Sequence, residues 1–150
     1  MSVQNSRFKG LHSVLHENLI ITVPEKLNKL EAIAFLTEEL CLRQSLGDAK
    51  PFVTRILERE QGISTTLDTG LAVPHARMDR LLEVAAVLGI VPKGISDPKQ
   101  PDITLYAIFL FFSPNRQDAF TFHLHLLREI SELFQPAFIE KLTKIPSPAG

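Results

Sequence analysis

Two near-continuous apolar runs, Val84–Val91 and Ile103–Phe112, restrict the folds open to this chain more than any other feature. Their Val, Ile, Phe and Tyr content favours strands. A strand that is apolar at consecutive positions has to be covered on both faces, because successive side chains point to opposite sides of a sheet. The segment between the runs is rich in Pro, Gly and Asp and separates them. Helical patterns flank the pair. Asn28 stands three residues before Glu31, the spacing at which a cap side chain and a returning carboxylate satisfy free N–H groups at a helix start. Leu30, Ile33, Ala34, Leu36, Leu40 and Cys41 follow at helical spacing, with Gly47 as a stop. Pro51 suits the first turn of a second helix whose apolar face is Phe52, Val53, Ile56 and Leu57, ending near Gly62. A long helix is expected from about Asp118 to Phe134, closed by Pro136, and a short one over Ala137–Thr143. Asn18–Val23 reads as a short strand stopped at Pro24. Between Ile63 and Ala76 the periodicity disappears, which predicts a loop. Helices alternating with strands predict an α/β sandwich with a central sheet flanked by helices. Residues 1–150 are read as one domain with a core over about 10–145, a short polar N-terminal segment and a frayed C-terminal tail.

Composition removes several classes of function. Sixteen Lys and Arg against seventeen Asp and Glu leave a net charge of -1, with no dense basic run, so nucleic acid is not an expected partner. Cys41 is the only cysteine. One thiol forms no internal disulfide and no thiolate cluster, which points to a reducing, cytoplasmic compartment. The segment Met1–Gly10 lacks the apolar core of a signal peptide, and Ile103–Phe112 is too short to span a bilayer, so direct membrane insertion is not expected.

Three groups of residues could carry chemistry. His123 and His125 sit about 200° apart on a helix turning about 100° per residue. His123 therefore falls in the stripe of Phe120, Leu127, Ile130 and Phe134, and His125 sides with Asp118, Arg128, Glu129 and Glu132. Opposite faces exclude one shared metal ion, which leaves His123 as a core imidazole and His125 as a surface residue. His75 follows Pro74, whose ring stiffens the backbone and biases Val73 towards an extended conformation. An imidazole on so stiff a stem is either a nucleophile for a phosphorus centre or an ordinary loop residue. Arg59, Ser64 and Thr65 offer a guanidinium and hydroxyls, the groups that stabilise a transferring phosphoryl group. Arg59 could equally form an ion pair with Glu58. Gly70 permits backbone angles closed to other residues.

Taken together, Arg59-Glu60, Ser64-Thr65, Leu71-Ala-Val-Pro-His75-Ala and His123-Leu-x-x-Leu127 resemble the fructose/mannitol-type IIA domain (EIIA type 2) of the bacterial phosphotransferase system, a group that includes the nitrogen-regulatory IIA proteins. The resemblance covers nearly the whole chain. It implies a mixed sheet between helices and a phosphotransferase component that works without metal, nucleotide or organic cofactor. By position it makes His75 the phosphoryl acceptor, His123 the second active-site histidine, Arg59 the arginine beside the acceptor and Ser64 the hydroxyl-bearing loop residue. The implied donor is a histidine phosphocarrier protein. The implied target is a IIB domain, for sugar uptake, or a regulated kinase or transporter, with a stand-alone regulatory role of the nitrogen type favoured because no IIB or IIC segment is attached. Asp68 and Thr66 depart from the family pattern, which has small residues there, and Ala76 replaces a more usual Gly. These departures favour a rival class, a binding module of the same fold that acts by protein contact without transfer. A metal-dependent hydrolase is a third class, without an evident set of carboxylate ligands.

Overall fold

A computed structural model describes residues 15–62 and 64–144. The polar N-terminal segment and the Pro-Ser-Pro-Ala-Gly tail lie outside the described residues. Strands are β1 (Ile20–Thr22), β2 (Leu71–Ala72), β3 (His75–Met78), β4 (Ala85–Ser96) and β5 (Thr104–Pro114). Helices are α1 (Lys29–Arg43), α2 (Lys50–Glu60), α3 (Phe120–Leu133) and α4 (Pro136–Thr143), with single 3-10 turns at Glu17–Leu19 and Gln117–Ala119.

The two apolar runs form the middle of one mixed sheet. β4 and β5 pair antiparallel, β1 runs parallel to β4, and β2 and β3 both run parallel to the far side of β5. Both strands start one residue later than expected and run past the expected C-terminal ends, β4 passing through a register shift between Ile90 and Ile95 that accommodates Pro92. Parity explains the lack of alternation. Val87, Val91, Ile108, Leu110 and Phe112 pack with Ile33, Leu36, Leu40 and Ile56 of α1 and α2. Ala86, Leu88, Ile90, Ala107, Phe109 and Phe111 pack on the opposite face with Leu126, Ile130, Phe134, Ile139 and Leu142. The sheet is thus sandwiched between two helical layers, as the sequence predicts.

Local signals hold where their chemistry is specific. Asn28 and Glu31 form the reciprocal cap of α1, each bond 2.9 Å long. Pro51 lies in the first turn of α2. Helix α1 ends at Arg43, and Gly47, with φ of +89°, lies in the turn that follows. Gly89 is fixed by a close approach: a Cβ there would lie 2.6 Å from Leu36 Cδ1, so the absent side chain lets α1 settle on β4. The loop predicted between Ile63 and Ala76 is overturned in part, because it contains β2 and the start of β3. Pro74 interrupts that edge strand and hides its period, a tolerated position because no ladder N–H is needed there. Its carbonyl still accepts the Phe111 N–H at 3.1 Å.

Candidate active site

The register of β3 on β5 decides which side chains meet. His75 lies opposite Phe111 and Arg77 opposite Ser113, so all four belong to the face that α3 covers. The His75 and Phe111 rings stack with centroids 5.2 Å apart and planes within 9°. On α3, His123, Leu126 and Ile130 point inward, while His125 is exposed. The helical angle therefore separates the two histidines as expected, and they cannot share an ion. Phe120, expected in the inward stripe, is 44% exposed and lies under the Arg77 guanidinium at 5.2 Å. His123 is only 6% exposed, and its ring centroid is 5.3 Å from that of His75.

A cleft of about 460 Å³ opens over this pair, lined by Arg55, Glu58 and Arg59 of α2, by His75, Ala76 and Arg77 of β3, and by Asn115 and His123. Arg59 is exposed and makes no ion pair among the described residues. The structure thus brings together His75, His123 and Arg59. Ser64 does not line this cleft; its hydroxyl lies 3.0 Å from Gln100 Oε1 and 3.3 Å from Asp97 Oδ2. Arg77, Ser113 and Asn115 escape the sequence reasoning. Only Ser113 carries a signal, as a hydroxyl directly after the apolar run that ends at Phe112.

The two histidines are held by different partners. His75 Nδ1 is 2.6 Å from the Val73 carbonyl. A carbonyl only accepts, so Nδ1 donates and the lone pair is on Nε2. Burial lowers the His75 pKa below its ordinary 6.5, aided by Arg59 and opposed by the Val73 carbonyl and Glu60. Burial likewise brings His123 down to about 4, with His75, Arg77 and Arg59 adding to the effect. Both rings are therefore neutral at neutral pH. For His123 the folded pKa lies below the unfolded one, so the unfolded chain binds more protons in between, and stability is full above pH 6.5 and lost as the pH falls towards 4. His123→Gln should flatten this limb, measured as the urea midpoint against pH; an unchanged slope would mean that His123 is not buried in neutral form.

Behind the cleft a polar cluster anchors the segment that carries His75. Lys29, 3% exposed, places Nζ 2.7 Å from Glu60 Oε1 and 3.0 Å from Asp97 Oδ2, with Thr66 Oγ1 at 3.2 Å. Thr66 also donates to Asp97, and Thr65 donates to Glu60 at 3.2 Å. From there the backbone carries the order onward. The Thr65 carbonyl accepts the Val73 N–H at 3.0 Å, and the Val73 carbonyl holds His75. Thr66 is thus part of this cluster, and Asp68 is exposed in the Leu67–Gly70 turn; neither lines the cleft. Lys29 was missed because it reads as an ordinary first-turn residue. The available signal is its sign, since a cation at a helix N-terminus opposes the helix dipole and needs another reason to be there.

Comparison with known proteins agrees with the fold and gives the family. Residues 13–149 match the family described as "Phosphoenolpyruvate-dependent sugar phosphotransferase system, EIIA 2". The "PTS system 2-O-alpha-mannosyl-D-glycerate-specific EIIABC component" of Escherichia coli (strain K12) is 25% identical over 127 residues, covering 81% of this chain but only 18% of that much longer protein. The crystal structure of nitrogen regulatory protein IIA-Ntr from Neisseria meningitidis superposes with a TM-score of 0.78 at 21% identity, over 91% of this chain and 92% of that one. The Escherichia coli complex of enzyme IIAMTL and phosphorylated enzyme IIBMTL gives 0.71 at 21% identity, over 90% and 92%. These two structures share the fold. With the family matched over nearly its whole length, the chain belongs to the EIIA type 2 components of the phosphoenolpyruvate-dependent sugar phosphotransferase system and is a phosphotransferase component.

Proposed function

We propose that His75 Nε2 accepts the phosphoryl group, taken from the phosphohistidine of an HPr-like histidine phosphocarrier protein in the cytoplasm. The observation that carries this reading is the 2.6 Å contact from His75 Nδ1 to the Val73 carbonyl, which occupies one ring nitrogen and leaves the other free in an arginine-lined cleft. In the transfer, the Nε2 lone pair forms a bond to phosphorus as the donor's P–N bond breaks, and the electron pair of that bond returns to the donor imidazole. The Val73 carbonyl, still accepting from Nδ1–H, stabilises the positive charge that develops on the His75 ring. Arg59 and His123 face the equatorial oxygens, where charge has to be held in such a transfer. Ser64 acts by position, fixing the 64–66 segment that holds Val73. The step requires no metal, nucleotide or organic cofactor.

The phosphoryl group then passes to a IIB domain or, in a regulatory role of the nitrogen type, marks the protein for a regulated kinase or transporter. The complex of a fold relative with its phosphorylated IIB partner supports the first, and the fold of IIA-Ntr supports the second. Against the binding-module reading, Asp68 and Thr66 depart from the family pattern without entering the cleft. Incubation with phosphoenolpyruvate, enzyme I and the phosphocarrier should add one acid-labile phosphoryl group by intact mass; no gain with several competent donors would favour the binding module. Arg59→Ala should slow acceptance by about 10²–10³, the range for losing a group that stabilises transition-state charge. Arg59→Lys should recover only part of it, since an ammonium lacks the planar fork. Rapid-quench kinetics would show this, and an unaffected rate would remove Arg59 from the site.

A further inference from the structure

Ser113 lies at the end of β5 with no solvent exposure, and its Oγ is 2.8 Å from His123 Nδ1. No other side-chain partner of this hydroxyl is found among the described residues. The contact can take two forms. If Nδ1–H donated to Oγ, the hydroxyl proton would be buried with no acceptor, an arrangement that folded proteins avoid. If Oγ–H donates to Nδ1, every group in the contact is satisfied and the ring proton moves to Nε2. Burial keeps His123 neutral, so the tautomer decides what the ring can offer. The neighbouring histidine is held in the opposite sense, because the Val73 carbonyl forces the His75 proton onto Nδ1.

We propose that Ser113 is a positioning residue that locks His123 as the Nε2–H tautomer, so that His123 presents an N–H donor to the phosphoryl group while His75 presents a lone pair. The two buried contacts have opposite polarity, and that difference divides the roles of two rings whose centroids are 5.3 Å apart. Without it, a free tautomer equilibrium at His123 would place a second lone pair towards anionic oxygens for part of the time. This inference rests on His75 as the acceptor.

Nitrogen-15 NMR of the native protein at neutral pH, read at both ring nitrogens, should show His123 with its proton on Nε2 and an acceptor-type Nδ1. Ser113→Ala should yield a tautomer mixture and lower kcat for phosphoryl acceptance from the phosphorylated phosphocarrier about tenfold, the factor controlled by one hydrogen bond. KM for the donor should not change, and Ser113→Thr, which keeps the hydroxyl, should restore the tautomer. In a His123→Ala background, Ser113→Ala should cost nothing more, because its effect travels through the ring. A proton on Nδ1 in the native protein would overturn the proposal, as would an equal loss from Ser113→Ala with and without His123. The NMR arm needs no phosphoryl donor, so a native protein showing the Nε2–H tautomer yet accepting nothing would count against the His75 reading instead.

Discussion

His75→Ala should abolish phosphoryl acceptance entirely, with intact mass unchanged after prolonged incubation with the complete donor system, while His123→Ala should still be labelled, only more slowly. The contrast follows from the atoms. His75 supplies the electron pair that forms the new P–N bond, and no other ring nitrogen in the cleft can replace it. His123 Nδ1 is engaged by Ser113, and in the proposed tautomer its Nε2 carries a proton. Loss of His123 removes one donor to the phosphoryl oxygens, worth about 10²–10³ in rate when such a donor is well placed. The fold should survive both changes. His75 sits on an edge strand, where Ala keeps the backbone pairing opposite Phe111. Equal loss in both variants would mean that the two rings act as one unit or that the site collapses, and circular dichroism of each would separate these cases.

Lys29→Met should destabilise the protein by about 3–5 kcal/mol, the usual cost of removing one partner of a buried ion pair. Glu60 and Asp97 share this cation in a region where Glu60 is 2% and Asp97 1% exposed, so its removal leaves two carboxylates facing each other out of water. The lysine itself contributes little net stability against an apolar core of equal volume. Accordingly, Lys29→Met combined with Glu60→Gln and Asp97→Asn should recover much of the loss, measured as urea midpoints. The pH dependence has a definite sign. Burial alone would raise the Asp97 pKa, but the Thr66 hydroxyl, the Lys99 backbone N–H and Lys29 outweigh it and bring the group from 3.8 down to about 2. A depressed carboxylate contributes stability that is full above the unfolded value and lost as the pH falls through the folded one. The native protein should therefore lose stability between about pH 4 and 2, and Asp97→Asn should reduce that dependence. A Lys29→Met variant as stable as the native chain would show that the cluster is hydrated.

The sandwich was legible because burial on both faces leaves a mark that composition cannot imitate cheaply: β4 and β5 read as continuous apolar segments. Capping chemistry made the start of α1 legible, and angular arithmetic placed His123 inward and His125 outward. The strand carrying His75 was not legible. Its pairing depends on β5, which is distant in the chain, and Pro74 breaks the period that would have announced it. Resemblance to a family drew His75, Arg59 and Ser64 together by order along the chain, but order does not distinguish groups that face the cleft from groups that hold its walls. Ser64 therefore came out beside Asp97 and Gln100, in a cluster centred on a lysine that pattern reading treats as solvated. Arg77 enters the site through strand register, which no local signal encodes, and the hydroxyl of Ser113 after the apolar run marks the residue without telling which face it takes.

The central claim is that one atom, His75 Nε2, receives the phosphoryl group. It is tested most directly by nitrogen-15 and phosphorus-31 NMR of the phosphorylated native protein, reading which ring nitrogen is coupled to phosphorus. Coupling to Nε2 of His75, with Nδ1 still donating to the Val73 carbonyl, is the predicted result; phosphorus on Nδ1 of His75, or on any nitrogen of His123, would contradict it.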